Sequence, residues 1–413
     1  MPQAVILPEL LAPAGDMAKL KTALHFGADA VYVGGSAFGL RAAAANFGEK
    51  EMPEAVKYAH SAGRKLYVAV NVFAVNDDFP ELREYLRFLN ECGADAAIVT
   101  DPGVFEACRK YAPDMDVHIS TQANVTNKYA AKFWASLGAK RIVLARETPL
   151  CDIREIYEYL DGAAEIEAFV HGAMCVSYSG RCLLSAALSG RSANRGNCAQ
   201  PCRWEYELTE VNRKGERYPI YEDGRGTYIM NSGDLCMLGH LGELAEAGVA
   251  SFKIEGRMKS QYYVASVVSA YRRALDAYIA DPEDELPAHV LAEADKTAHR
   301  AYTTGFYFGS DRAKVSSDAS QTEGGYDFVA AVKGYDASRG YADVEQRNAF
   351  SEGDELEVLS AGDADGRTFV VTEMYDSRGE RVKDAKLVQQ RLRIAVPFAL
   401  EEWDILRRKK KNA

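Results

Sequence analysis

Short apolar runs alternate with segments of helical period through the first two thirds of the chain. The runs are Pro8 to Ala12, Ala30 to Gly34, Lys65 to Val70, Ala96 to Thr100, Asp116 to Ser120, Arg141 to Ala145, Ile166 to Val170 and Ser251 to Ile254. Short, nearly continuous apolar runs suit strands covered on both faces, the habit of parallel sheets. Between them, Met17 to Phe26 and Phe79 to Cys92 carry amphipathic spacing, and Gly27, Gly93, Gly138 and Gly248 stand where a helix must stop before the next strand. Eight strands alternating with helices predict an α/β fold, a (β/α)8 barrel of the TIM type. An open doubly wound sheet is the alternative, disfavoured by the strand count and by the lack of a Gly-x-Gly-x-x-Gly turn. After the eighth run, Val264, Val267, Val268, Tyr271 and Leu275 recur at helical spacing and read as a packing stripe.

The pattern changes near residue 282. Pro282 to Gly309 turns acidic, then helical, then aromatic, as a strap would, and Asp311 to Gly325 is a Ser, Asp and Gly linker. Short β-type runs follow, from Tyr326 to Lys333 through Arg391 to Val396, separated by Gly and Asp turns. The predicted division is a barrel over 1–282, a strap and linker over 283–325, a small β-barrel domain over 326–406 and a solvated basic tail over 407–413.

In such barrels the loops at the carboxyl ends of the strands form the active face. A cysteine-rich stretch, 172–240, leaves the end of the seventh run and returns as the eighth, so it is a long insertion over that face. Strand alternation nominates the residues beneath it. Lys253, Glu255 and Arg257 share one side of the eighth run, His118, Ser120 and Gln122 one side of the fifth, and Glu167 and His171 one side of the seventh; Asn71 ends the third, and Arg146 and Glu147 follow the sixth. Charges inside a barrel are costly unless paired or used. His171, Glu255 and Lys253 are therefore catalytic candidates, with a purely structural network of Lys253, Glu255 and Glu9 as the alternative. Asn71, His118 and Gln122 are candidate substrate contacts.

The insertion holds Cys175, Cys182, Cys198, Cys202 and Cys236, five of the chain's eight cysteines. Clustered thiols in a reducing compartment more often bind metal than form disulfides. Only Cys198 and Cys202 form a short knuckle of the zinc type, and scattered thiolates better suit the wider core of an iron-sulfur cluster. Zinc and unliganded thiols remain open on spacing alone. The net charge of -11 disfavours a generally basic surface for nucleic acid but permits a local basic lining. No apolar run reaches bilayer length and no export leader opens the chain, so a cytoplasmic protein without membrane or DNA partners is expected.

These same residues carry a resemblance. Glu167 to Cys175, Ser179 to Ser185, Cys198 to Tyr206, Asn231 to Cys236 and Lys253 to Met258 and Lys259 resemble the motifs of the U32 family, the collagenase-like peptidases, as do Glu9 to Gly15 and Thr303 to Tyr307. Within that family the chain is most similar to the branch that hydroxylates tRNA. The resemblance implies oxygen-independent conversion of wobble uridine to 5-hydroxyuridine, with prephenate as hydroxyl donor, tRNA as substrate and a paralogous subunit as a conceivable partner. Ribosomal RNA hydroxylation and peptidase activity, including a Cys175 and His171 nucleophile pair, are the alternatives. It also implies a 4Fe-4S cluster, and no nucleotide cofactor, with Cys175, Cys182 and Cys198 as ligands; Cys236 is slightly preferred over Cys202 for the fourth place. A dicarboxylate donor needs cationic forks, for which arginine has the bidentate geometry. Arg41, Arg146, Arg181 and Arg257 follow strands two, six, seven and eight and are the candidates.

Overall fold

The structure, a computed structural model, describes residues 7–40, 46–175, 177–204, 222–223, 226–227, 233–282, 284–309 and 324–410. Arg41 and the expected linker, Asp311 to Gly325 apart from Gly324 and Gly325, lie outside these residues. Strands β1 (Glu9–Pro13), β2 (Ala30–Gly34), β3 (Lys65–Val70), β4 (Ala96–Val99), β5 (Asp116–Ile119), β6 (Arg141–Val143) and β7 (Glu165–Ala173) pair in parallel in chain order. The strand Val249–Ile254 pairs in parallel with both β7 and β1, which closes the ring. The fold is the expected (β/α)8 barrel. Helices begin where a side chain can satisfy the free N–H groups of a first turn. Asp16 accepts from Lys19 N (2.8 Å), Asp101 from Gly103 N (2.8 Å) and Val104 N (3.1 Å), and Ser260 from Tyr263 N (3.1 Å).

The barrel interior has two characters. Leu11, Ala30, Tyr32, Tyr67, Ala96 and Ile98 make an apolar lining on the side of the first four strands. On the other side charged groups meet. Arg141 reaches Glu9 (2.6 Å), Glu165 (2.7 Å) and Glu167 (3.3 Å), Lys253 reaches Glu167 (2.7 Å), and Tyr67 and Ser251 donate to Glu9 (2.7 and 3.1 Å). A structural network does exist, then, but its hub is Arg141 and its carboxylates are Glu9, Glu165 and Glu167. Glu255 stands higher, toward the loops.

Two departures from the expected plan bear on the site. β7 runs on to Ala173, and Asp234–Cys236 lies antiparallel on this extension, with Cys236 opposite His171. The pairing of β7 with Val249–Ile254 also slips by one residue, Lys253 facing Phe169 but Ile254 facing His171. Such a bulge reverses which side the later residues take.

The helix Gln261–Ala280 contains the predicted stripe, and Val264, Val267, Val268, Tyr271 and Leu275 are all buried. It is covered on further sides by the helix Ala288–Asp295 and the C-terminal domain, where Arg347 meets Gln261 (3.3 Å) and Arg273 meets Asp365 (2.7 Å). That domain is an antiparallel eight-stranded sheet with its own core, and its pairing order leaves two edges, so it is a half-barrel and not a closed one. The basic run at the end is not a solvated tail at its start. Ile405–Lys409 is a strand, and Arg407, 1% exposed, binds Glu293 of the strap helix and Glu357 of the sheet. No helix of the described residues is long and apolar enough to cross a membrane.

Candidate functional site

The carboxyl ends of the barrel strands surround a cleft of about 60 Å³ whose walls include Tyr32, Asn71, Gln122, Arg146, Lys253, Glu255 and Arg257. A second cavity, about 230 Å³, lies against it and is lined by Cys175, Cys182, Cys198 and Cys202. Gln122, Arg146 and Glu255 border both. Seven of the residues nominated from the sequence thus meet in the cleft, Asn71, Ser120, Gln122, Arg146, Glu255 and Arg257 with Lys253 at its floor.

Arg146 is the hinge between the two spaces. Its guanidinium lies 4.0 Å from the Phe169 ring centroid, one Nη donates to Ala173 O (2.6 Å) and the other is 3.6 Å from Glu255. Its Nε is buried without a hydrogen-bond partner among the described residues. A stacked, half-satisfied guanidinium has donors left for a ligand carboxylate. Arg257 is 4% exposed and passes β2 so closely that a Cβ on Gly34 would stand 2.4 Å from its Nη1 and push the guanidinium aside. Asn71 Oδ1 accepts from Leu40 N (3.1 Å), and Tyr32 OH reaches Glu255 (3.4 Å). Lys253 Nζ is held by Glu167 (2.7 Å) and lies 4.5 Å over the Tyr32 ring, so its position beneath the cleft is fixed.

The insertion is pinned to the rim from several sides. Ser179 donates from N (3.0 Å) and Oγ (3.1 Å) to Glu147, and Gly180, at φ 73°, lies so near Gln122 that a Cβ would fall 2.1 Å from its carbonyl oxygen. Across the mouth, Arg195 grips Asp78 (3.0 and 3.1 Å) and Phe73 N donates to Asn194 O (3.1 Å). Ser185 Oγ accepts from Ala199 N (2.9 Å), which fixes the turn that carries Cys198 and Cys202. Gln200 N donates to Cys198 Sγ (3.3 Å). None of the eight cysteines is in a disulfide. Among the described residues no three or more His, Cys, Asp or Glu side chains are gathered for a single ion. Four thiols around one cavity, one already receiving an amide N–H, are a donor set that suits an iron-sulfur core.

Two expectations are corrected here. Cys236 does not line the cysteine cavity; it belongs to the strand on β7, with Sγ 4.0 Å from Tyr271 OH, and burial pushes its thiol up. Cys202 lines that cavity with Cys175, Cys182 and Cys198. His171, past the bulge, faces the helical layer. Its Nδ1 is 3.3 Å from Tyr271 OH, and the rings of Tyr263, Tyr271 and Tyr302 surround it at 6.0, 5.4 and 5.4 Å. It lines neither cavity, so neither a catalytic role in the mouth nor a nucleophile pair with Cys175 fits. Burial, then the charges of His299 and Lys259, bring its pKa down to about 3.

That shift carries a sign. The unfolded chain protonates this imidazole near pH 6.5 and the folded one only near 3, so protons favour unfolding across that window. Stability is expected to be full above about pH 6.5 and to fall by up to about 1.4 kcal/mol per pH unit below it, on this group's account. His171→Gln is expected to flatten that acid limb in chemical-denaturation curves taken between pH 7 and 4; an unchanged slope would remove His171 as its source.

The remaining candidates divide. His118 is inside the barrel but toward the opposite end, edge-on to Tyr67 at 4.7 Å, and burial with the Arg141 charge holds its pKa well down; it is no substrate contact at the mouth. Arg181 is exposed and lines neither cavity. Arg141, Ser179, Phe169 and Arg300, the last a wall of the cysteine cavity, escaped the sequence reading. Alternation along β6 would have put Arg141 inside, but three residues give little pattern to read.

The profile of Peptidase family U32 matches residues 15–317, and that of the Peptidase family U32 C-terminal domain matches 325–407. The chain is 42% identical over 383 residues to tRNA hydroxylation protein P1 of Bacillus subtilis, covering 92% of this chain and 89% of that one. It is 35% identical to tRNA hydroxylation protein P of Escherichia coli, over 95% of each chain. It is also 37% identical to the 23S rRNA 5-hydroxycytidine synthase of Escherichia coli, over 85% of this chain and 52% of that one. With both profiles matched in order along the barrel and the half-barrel, the chain belongs to peptidase family U32.

Proposed function

We propose that the protein is an RNA hydroxylase that converts the wobble uridine of tRNA to 5-hydroxyuridine without molecular oxygen, using prephenate as donor. The observation that carries this reading is the junction of a cation-lined cleft with a cavity of four cysteines at the barrel mouth. Relatives of matching length whose names state tRNA hydroxylation support the substrate. Replacing hydrogen by hydroxyl at the base is a two-electron oxidation, balanced if the donor gives up its hydroxyl and is left with a hydrogen in its place.

The chain's own residues have clear parts in such an exchange. Arg146 and Arg257 offer forks for the two donor carboxylates, and Lys253 adds charge from below. Gln122 and Asn71 can hydrogen-bond the donor hydroxyl or a base edge. Glu255, beside Arg146, is the group placed to hold or move a proton where the two spaces meet. A four-iron cluster, held by Cys175, Cys182, Cys198 and Cys202, would supply one-electron chemistry there. An unpaired anticodon loop presents its base to the mouth with little unstacking cost.

The test is nucleoside mass spectrometry of tRNA from a strain lacking this protein and its paralogues, then restored with this chain alone. The reading requires 5-hydroxyuridine to vanish and return. Its persistence in the deleted strain removes the proposed reaction.

A further inference from the structure

The half-barrel carries a groove that the chemistry at the barrel mouth does not use. It encloses about 790 Å³ and is floored by the neighbouring strands Tyr341–Gln346, Arg391–Ala395 and Met374–Asp376. Lys333, Arg339, Arg378, Arg391 and Arg393 line it, against only Asp343 and Asp376. Residues 326–409 as a whole hold 17 Asp and Glu but 13 Lys and Arg, so the groove gathers cations within an acidic domain. Arg391 and Arg393 are exposed and tied to Glu345 (2.8 Å) and Asp343 (3.2 Å). The Arg393–Asp343 pair is exposed on both sides, and such pairs hold so weakly that a phosphate can take the carboxylate's place.

Two aromatic rings interleave with these cations. Tyr341 and Tyr375 line the same groove, their centroids 6.0 Å apart, and both hydroxyls donate to Glu373 (2.8 and 3.2 Å). Anchored rings on a rigid sheet, set among arginines, are the means by which proteins hold unpaired nucleic acid: guanidinium on phosphate, base on ring. We propose that this groove is a second RNA-binding surface, taking an unpaired segment of the substrate tRNA outside the barrel mouth. The assignment rests on RNA being the substrate, but not on the reaction done to it.

The experiment is fluorescence anisotropy of labelled tRNA on the full-length chain across a salt series. Neutralising two groove cations in Arg378→Gln/Arg393→Gln should weaken binding about tenfold near 0.1 M salt, and the slope of log affinity against log salt should fall by about 0.7 for each phosphate that the groove no longer holds. Tyr375→Ala should weaken binding by about five- to a hundredfold with the slope unchanged, and Tyr375→Phe, which keeps the ring, should restore it. Wild-type affinity and slope in every variant would overturn the proposal. A loss confined to the arginine variant would mark a surface for any polyanion and overturn it equally. A chain that binds tRNA through the groove yet leaves wobble uridine unmodified would remove the proposed reaction and leave the groove standing.

Discussion

Serine at Cys175, Cys182, Cys198 or Cys202 is expected to strip the protein of iron, sulfide and visible absorbance after anaerobic purification, whereas Cys236→Ala keeps all three. The first four thiols line one cavity and the fifth is packed against Tyr271 on an extension of β7. Disturbing even the neighbours of metal ligands costs about 10- to 100-fold in affinity or activity, so losing a ligand should reduce hydroxylation by more than about 100-fold. Cys236→Ala removes one small, partly buried atom, for about 1 kcal/mol of stability. Iron retained in Cys202→Ser but lost in Cys236→Ala would restore the order suggested by the sequence. A colourless zinc protein would end the cluster reading altogether.

This contrast also shows where the sequence was legible. β2 and β3 begin and end where their apolar runs do, because fully buried parallel strands show as uninterrupted apolar segments. The stripe of the helix Gln261–Ala280 is equally plain. Alternation placed Lys253, Glu255 and Arg257 correctly along their strand and its exit, and failed for His171, since a one-residue bulge in β7 leaves no mark in composition. Cys236 sits in a conspicuous motif, yet its strand partner is visible only in three dimensions. Arg407 shows a similar limit. A run of like charges is usually solvated, but here one member is buried by two carboxylates, 114 and 50 residues distant in sequence. What local pattern omits is long-range pairing.

The second large effect lies beneath the site. Replacing Arg141 with methionine is expected to lower the barrel's stability by about 3–5 kcal/mol, because a buried carboxylate left without its cation costs that much. Glu9, Glu165 and Glu167 all turn toward this guanidinium, and Glu167 is fully buried. Those ion pairs, with burial opposing them, keep Arg141 charged far beyond any working pH. For a domain of this size the loss should appear as a fall of about 10 °C in the midpoint of thermal unfolding. Adding Glu9→Gln should recover part of it by removing one stranded charge, while Lys253→Met alone should cost less, since Arg141 still faces Glu167. A melting temperature unchanged in Arg141→Met would mean that the carboxylates find water or protons instead. The floor that holds Lys253 under the cleft would then be softer than its distances imply.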